Sequence, residues 1–259
     1  MRAVLCKELG LPEKLVVEEV PSPKAGKGEV VLSVKACGVN FPDTLIIQGK
    51  YQFKPELPFS PGGEVAGVVK EVGEGVTSPK PGDRVIAFNT WGGFAEEMVV
   101  EADRTIPMPD RMDFVPASAF VLTYGTSYHA LKDRAQLKPE ETLLVLGASG
   151  GVGIAAVQLG KMMGARVIAA ASTAEKLQVC KQNGADELIK YGEEDLRARV
   201  KELTSGKGVD VAGADGPERP GHRPAVCSRH TAHPPLVAHG PGYQLCHRHR
   251  QAALRRHWL

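Results

Sequence analysis

Residues 143–153 read LLVLGASGGVG, an apolar run followed at once by closely spaced glycines. With Ala148 in the place of the first glycine, the pattern is A-x-G-x-x-G between a predicted strand and a predicted helix. Such a turn lets backbone amides approach a pyrophosphate, which the helix N-terminus also favours. A glycine-rich hairpin can give the same letters, but the strand before and the helix after favour a dinucleotide site. The residues predicted to form it are Gly147, Ala148, Gly150, Gly151, Val152 and Gly153.

Around this turn the chain alternates apolar strand-like runs with helical stretches, which is typical of a parallel sheet covered by helices on both faces. Leu196, Val200 and Leu203 stand at i, i+4 and i+7 and therefore align on one helical face. We predict strands at 141–146, 166–171, 188–191 and 209–212, and helices at 151–163, 174–183 and 193–204. The fold class is thus α/β, with a doubly wound sheet whose pattern stops near residue 211.

The first hundred residues instead show short strand-like runs separated by glycine and proline, an all-β signature that predicts a small barrel or curled sheet. Residues 2–6 are also strand-like, and one helical stretch follows at 116–133. The other predicted strands are 15–20, 29–36, 63–72, 84–88 and 94–100.

Composition excludes several classes of protein. With 259 residues, 42% hydrophobic and 24% charged, the chain has the balance of a globular protein of one or two domains. No run approaches the ~18 apolar residues of a membrane span. The five cysteines lie far apart without a C-x-x-C pair, and no apolar leader follows Met1. These features predict a reducing, cytoplasmic location, or a mitochondrial one for a longer form with a leader.

Metal and hydrolytic chemistry are also disfavoured. His129 is the only histidine before residue 212, whereas a catalytic zinc needs three protein ligands. Neither a G-x-S-x-G elbow nor a P-loop is present, which argues against hydrolases and nucleoside triphosphatases. The sequence therefore predicts no metal site and a reaction whose chemistry a bound cofactor supplies.

The end of the second predicted strand of the parallel sheet indicates which dinucleotide is bound. An NAD site usually has an acidic residue there for the ribose 2′-hydroxyl, whereas an NADP site has positive charge instead. Ser172 occupies this place and Lys176 follows one helical turn later. NADPH is therefore the predicted cofactor, although Lys176 taken alone would read as an ordinary solvated lysine.

Four segments together carry a family resemblance: ACGVNFPD at 36–43, GKY at 49–51, PFSPGGEVAG at 58–67 and the glycine turn. In order and spacing, residues 1–211 resemble the zinc-free quinone oxidoreductase branch of the medium-chain dehydrogenase/reductase superfamily. The resemblance implies a GroES-like substrate domain at 1–118 and a partial Rossmann domain that binds NADPH at 119–211. Asn40 and Gly63 stand where zinc alcohol dehydrogenases of that superfamily have zinc ligands.

The resemblance also implies site residues. Asn40, Asp43 and Tyr51 would lie beside the nicotinamide as the catalytic group. Further cofactor contacts would come from Thr126, Ser172, Lys176 and Tyr191. Structural alternatives stay open for four of these positions. Asn40 would cap a turn, Asp43 a helix, Tyr51 would close the barrel, and Tyr191 would be a strand aromatic.

The implied reaction is hydride transfer from NADPH to a quinone or an α,β-unsaturated carbonyl. The Tyr51 hydroxyl, the Asn40 amide or solvent would stabilise charge on the substrate oxygen. The expected partners are small molecules, with no membrane and no nucleic acid. Members of the family are commonly homo-oligomeric through a last Rossmann strand that has no counterpart in this pattern.

Residues 212–259 depart from the family. They carry seven Arg, no Lys, two acidic residues and seven of the eight histidines, whereas residues 1–211 carry 25 Lys plus Arg against 28 Asp plus Glu. This composition predicts a disordered tail, from an out-of-frame or alternatively spliced terminus, that leaves the strand at 209 as an exposed edge and impairs activity. The alternatives are a non-catalytic product, or binding of nucleic acid or of a metal at Cys227 and 246–249.

Overall fold

The computed structural model describes residues 1–214 and 228–229, and the chain divides after Val121 into two compact units. Expectations for 215–227 and 230–259, including the tail's disorder and its metal site, lie outside the described residues. No helix of the described residues is long and apolar enough to cross a membrane.

The unit Met1–Val121 is built on an antiparallel sheet of five strands in the order β6-β3-β4-β5-β7, with β1 and β2 paired separately. All the strands predicted from the sequence are present, and β7 was not predicted. The strands are β1 (Arg2–Leu5), β2 (Val16–Glu19), β3 (Glu29–Gly38), β4 (Glu64–Val72), β5 (Arg84–Phe88), β6 (Glu97–Glu101) and β7 (Thr105–Pro107). Two short helices, α1 (Phe41–Ile46) and α2 (Phe114–Ala117), complete the unit.

Alternation along these strands sends every second side chain inward. The buried cluster beneath the sheet comprises Val30, Leu32, Val65, Val69, Val85, Ala87, Met98 and Val100. Because β3 and β4 contribute to it from paired positions, the ends of these strands have fixed relative positions. Asn40 follows the end of β3, and Glu64 begins β4.

The single helix predicted at 116–133 is wrong, because the chain forms three helical pieces there. These are α2, α3 (Val121–Tyr128) and a π-helical turn (His129–Arg134). After α2 the backbone N–H of Ala119 bonds to Pro116, an i→i−3 pattern that ends the helix. The Ser118 hydroxyl donates to the carbonyl of Val115 and so competes with the helical ladder.

The second unit is a sheet in the order β10-β9-β8-β11-β12, in which the first four strands are parallel. The strand order reverses beside β8, so the crevice of a doubly wound sheet lies at the carboxyl end of β8. The elements are β8 (Thr142–Leu146), α4 (Gly151–Met162), β9 (Arg166–Ala171), α5 (Ala174–Gln182), β10 (Glu187–Lys190), α6 (Leu196–Leu203), β11 (Val211–Ala214) and β12 (Ser228–Arg229).

Helices cover both faces of this sheet, as the α/β pattern predicts. Leu143 and Val145 face a cluster that includes α4 and α5, and Leu144 faces the opposite cluster. The predicted apolar stripe of α6 packs on that second face. The helix begins later than predicted because Asp195 caps it, its carboxylate accepting from the N–H of Ala198 at 2.7 Å.

The prediction that the fourth parallel strand, β11, is an exposed edge is wrong for two of its residues, which pair with β12. Val211 and Ala212 pair antiparallel with Arg229 and Ser228. An unpaired strand edge offers backbone donors and acceptors to any extended segment that keeps its N–H groups. Residues 228–229 contain no proline and can therefore pair in spite of the proline-rich sequence around them.

Candidate functional site

The glycine turn leaves β8 through a backbone conformation that favours glycine. Gly147 has φ +62°, and its carbonyl accepts the N–H of Gly150 at 3.0 Å. Ala148 is fully buried, and its N–H donates to Ala170 of the adjacent strand at 3.1 Å. The turn is thus anchored to two neighbouring strands and has a defined shape before any ligand binds.

The N-terminus of α4 presents free helical donors at this turn. Gly150 is the N-cap residue and is exposed, as is Gly151. The N–H of Ile154 donates to the carbonyl of Gly150 at 2.8 Å, the first i→i−4 bond of the helix. The N–H groups of 151–153 therefore have no partner within the helix and can serve an anion such as a pyrophosphate.

Gly153 has a packing role. A Cβ atom there would lie 2.8 Å from the Cα of Ala148 and closer still to the carbonyl oxygen of Gly147. At Gly151, a Cβ would lie 3.1 Å from the Thr123 methyl carbon. The absence of side chains at Gly151 and Gly153 therefore allows α4 to approach both the turn and α3 closely.

Helix α3 lies against the start of α4. The Ser127 hydroxyl donates to the carbonyl of Val152 at 2.7 Å. Thr126 is half-buried and lies three residues after Thr123, which contacts Gly151, so both are on one side of the helix. Sequence reasoning found Thr126 by resemblance but missed Ser127, because a serine within a helix carries no signal of its long-range partner.

Ser172, Lys176 and Tyr191 come together at the carboxyl ends of β9 and β10. The Lys176 ammonium Nζ donates to Ser172 Oγ at 3.2 Å. The backbone N–H of Tyr191 donates to Ala171, while its side chain is 45% exposed. Tyr191 follows β10 rather than belonging to it, so the strand-aromatic alternative is wrong in its placement. An ammonium group and a serine hydroxyl thus meet at this corner, and the main chain of Tyr191 bonds to the residue before Ser172.

One carboxylate near this corner was not considered from the sequence. Glu175 is in the first turn of α5, and a hydrogen bond from the Thr173 side chain, with the charge of Lys190, lowers its pKa. Thr173 also caps α5 by accepting from the N–H of Lys176 at 3.3 Å. The Glu175 carboxylate is therefore engaged by the N-cap residue Thr173, whereas Ser172 accepts its hydrogen bond from Lys176.

In the first unit, Asn40 and Asp43 form the capping box of α1, which realises the structural alternative for both. The N–H of Asn40 donates to Asp43 Oδ2 at 2.7 Å. Burial raises the pKa of Asp43, which is 5% exposed, although backbone hydrogen bonds from Asn40 and Gly62 oppose that shift. The capping box holds the main chain of Asn40 and also engages its side-chain oxygen, which accepts the N–H of Asp43, so Nδ2 is the group left for other contacts.

The side chain of Asn40 contacts Glu64, a residue that sequence reasoning missed. Asn40 Nδ2 donates to Glu64 Oε2 at 3.1 Å, and Glu64 is fully buried at the start of β4. A single acidic residue inside the otherwise apolar run after Gly63 was the available signal. Burial raises the pKa of the neighbouring Cys37 to about 12, helped by the charges of Asp43 and Glu64, so this thiol is a poor nucleophile.

Tyr51 lies at a different place in this unit. It packs against a buried apolar cluster that includes Cys6, Ile46 and Phe59, and its ring is 6.0 Å from that of Phe53. The packing agrees with the barrel-closing alternative. Asn40, Asp43 and Glu64 therefore form one hydrogen-bonded network, and Tyr51 lies on the cluster that continues from the end of α1.

Among 1–214 and 228–229, no three His, Cys, Asp or Glu side chains are arranged to hold a metal ion. Gly63 stands where the resemblance puts a zinc-binding histidine in the alcohol dehydrogenases. A Cβ at Gly63 would lie 2.4 Å from the carbonyl oxygen of Asn89. A histidine would therefore require the backbone to move.

Two family models match the chain. Residues 26–110 match the alcohol dehydrogenase GroES-like domain, and 151–213 match the zinc-binding dehydrogenase family. Quinone oxidoreductase-like protein 2 homolog of Nematostella vectensis is 46% identical over 213 residues, which cover 81% of this chain and 58% of that protein. Human quinone oxidoreductase is 40% identical over 215 residues, covering 82% and 65% respectively.

Solved structures show the same relationship. A probable oxidoreductase from Mycobacterium abscessus is 46% identical with a TM-score of 0.77, covering 82% of this chain and 68% of that one. Escherichia coli quinone oxidoreductase complexed with NADPH is 36% identical with a TM-score of 0.78, covering 83% and 66%. The chain thus spans about three fifths of the length of the curated relatives it matches. By sequence and by fold it belongs to the quinone oxidoreductase branch of the medium-chain dehydrogenase/reductase superfamily.

Proposed function

We propose that this chain binds NADPH and reduces quinones or α,β-unsaturated carbonyls by hydride transfer. The observation that carries the proposal is the shaped glycine turn with the Lys176 and Ser172 pair at the next strand end. The relatives named quinone oxidoreductase, and the NADPH complex of the Escherichia coli protein, support the same assignment. We assign substrate contact to the first unit and cofactor binding to the second.

The proposed cofactor-binding residues form two groups, one for the pyrophosphate and one for the phosphate on the adenosine ribose. The N–H groups of 151–153, at the positive end of α4, suit the pyrophosphate. The Lys176 ammonium and the Ser172 hydroxyl suit the phosphate on the adenosine ribose, and the exposed Tyr191 is the third residue assigned to it. Thr126 would contact the cofactor from α3.

NADPH, when bound, supplies a hydride from its nicotinamide, and charge then develops on the substrate oxygen. The Asn40 amide, the Tyr51 hydroxyl or solvent would donate to that oxygen, and Asn40 is the donor whose surroundings are described most fully. Asp43 holds the main chain at Asn40 and so acts on the position of this donor. A proton from solvent balances the hydride.

The test is a fluorescence titration of the purified 259-residue chain with NADPH and with NADH, followed by NADPH oxidation in the presence of a quinone. We expect NADPH to bind more tightly than NADH. Turnover is expected to be low, since the chain matches only part of its relatives' length. Binding without turnover would support the non-catalytic alternative, and equal or absent binding of both nucleotides would overturn the proposal.

A further inference from the structure

The Glu64 carboxylate is fully buried, yet it accepts a hydrogen bond from a side chain at the proposed site. Burial of a charged group is costly unless hydrogen bonds and charges compensate it. Glu64 is paired with Gly38 in the β3–β4 ladder, two residues before Asn40. The sheet register therefore sets this carboxylate beside the segment that carries Asn40.

Asn40 is held at three points, one of which is its side-chain oxygen, which accepts the N–H of Asp43 in the capping box. Its backbone N–H donates to Asp43 at 2.7 Å, and its Nδ2 donates to Glu64 at 3.1 Å. An ionised carboxylate accepts hydrogen bonds but cannot donate them, so it can face the Nδ2 of an asparagine and not its Oδ1. The contact with Glu64 thus favours the same orientation of the amide as the capping box, with Oδ1 towards the N–H of Asp43 and Nδ2 towards Glu64.

This orientation leaves a donor for the substrate. Nδ2 carries two hydrogens, and the bond to Glu64 uses one of them. Asn40 as a whole residue is half-buried and therefore keeps part of its surface exposed. Gly38 allows the close approach of two backbone segments, because a Cβ there would lie 2.4 Å from the carbonyl oxygen of Ser118, and its distance of 3.5 Å from Asn40 Nδ2 would be an ordinary contact.

We propose that Glu64 is a positioning residue that orients the Asn40 amide so that its second Nδ2 hydrogen donates to the oxygen of the quinone or enone. This inference rests on the proposed function and adds to it a residue that does not touch the substrate. A donor already aimed at the developing charge needs no reorganisation when the substrate reacts.

The first test uses the unaltered chain with NADP+ and duroquinone, a fully methylated quinone that cannot add to thiols. The two Nδ2 protons of Asn40 are observed by nitrogen-edited NMR and assigned by their loss in Asn40→Ala. We expect the quinone to shift one proton and to leave the Glu64-bound proton almost unmoved. Equal shifts of both would overturn the positioning role, and no shift of either would overturn the proposed function with it.

The second test compares Glu64→Gln with Glu71→Gln, the same change at an exposed residue of the same strand. A glutamine can present either its amide nitrogen or its oxygen to Asn40, so it no longer adds to the preference that the capping box gives. We expect Glu64→Gln to make the two proton shifts similar and to weaken duroquinone binding about tenfold, and Glu71→Gln to match the unaltered chain.

A double variant separates positioning from a merely structural role. If Glu64 acts through Asn40, adding Glu64→Gln to Asn40→Ala should weaken quinone binding by less than twofold beyond Asn40→Ala alone. Additive losses, or a Glu64→Gln protein that binds like Glu71→Gln while NADPH titration is normal, would overturn the inference and leave the proposed function standing.

Discussion

A Cβ atom on Gly153 would lie 2.6 Å from the carbonyl oxygen of Gly147. The first helical turn of α4 therefore lies directly against Gly147, the residue that follows β8. The backbone atoms on both sides have little freedom to move apart. The glycine therefore sets how near the helix N-terminus comes to the sheet. The amides proposed to hold the pyrophosphate depend on that closeness.

Gly153→Ala should destabilise the second unit and weaken NADPH binding. Forcing an extra methyl into a packed site typically costs about 1–3 kcal/mol, although alanine itself suits a helix. Urea unfolding and NADPH titration measure the two effects. Gly192→Ala is the control for the unfolding measurement, because its Cβ would have its nearest contact, the carbonyl oxygen of Ser172, at an ordinary distance of 3.6 Å. Equal stability of both variants would contradict the packing argument.

Strands with a regular apolar pattern were predictable from sequence, and those defined only by distant partners were not. The predicted bounds of β5 and β9 agree with the structure to the residue, because the flanking residues break the apolar runs clearly. The three-residue β7 depends on pairing with β5, and the break after α2 depends on the local bonds of Ser118. Neither leaves a periodic trace in the sequence.

Lys176 gives a direct test of cofactor choice. Lys176→Ala should weaken NADPH binding about tenfold, roughly 1.4 kcal/mol, because a charge-assisted contact to the ribose phosphate is lost. NADH binding should change little, since NADH has no such phosphate. Lys181→Ala, in the same helix but bonded to the carbonyl of Asp186, is the control. An equal loss for both nucleotides would contradict the assignment of Lys176.

The part of the candidate site that lies within one short stretch of sequence was predictable from residue type and position. The glycine turn and the Ser172 and Lys176 pair lie in one βαβ unit, so their neighbourhood follows from local topology. Glu64 and Asn40 are 24 residues apart and meet only through the β3–β4 register. A sequence pattern without the sheet register cannot supply that contact.

Cys37 should resist alkylation in the folded protein. Its pKa of about 12, raised by burial and then by nearby negative charge, leaves very little thiolate at pH 8. Burial also raises the pKa of Cys6 and of Cys180. Iodoacetamide labelling followed by peptide mass spectrometry checks this, with the urea-unfolded chain as the control. Labelling of Cys37 at the same rate in the folded and unfolded protein would contradict its burial.

Asp186 should stabilise the second unit near neutral pH and lose this stabilising contribution in acid. Burial raises its pKa, but the hydrogen bonds from Lys161 and from the N–H of Val167, with the lysine charges, outweigh this and hold the pKa below its ordinary value. A depressed folded pKa adds stability above the unfolded pKa, near 3.9, and loses it as the pH falls through the folded pKa.

Asp186→Asn should therefore lower the free energy of unfolding near neutral pH by about 0.5–1 kcal/mol, a figure reduced for solvent screening because the carboxylate side chain is 35% exposed. The difference from the unaltered chain should shrink as the pH falls below about 4, where the aspartate of the unfolded chain becomes protonated, and level off below the folded pKa, where the native aspartate is protonated too. Urea unfolding followed by circular dichroism across this range measures it. Glu187→Gln, which removes one charge from the exposed pair with Arg166, controls for net charge. A deficit that stays constant into acid would mean that Asp186 stabilises the unit by packing, because only a charge-dependent contribution disappears when the carboxylate is protonated.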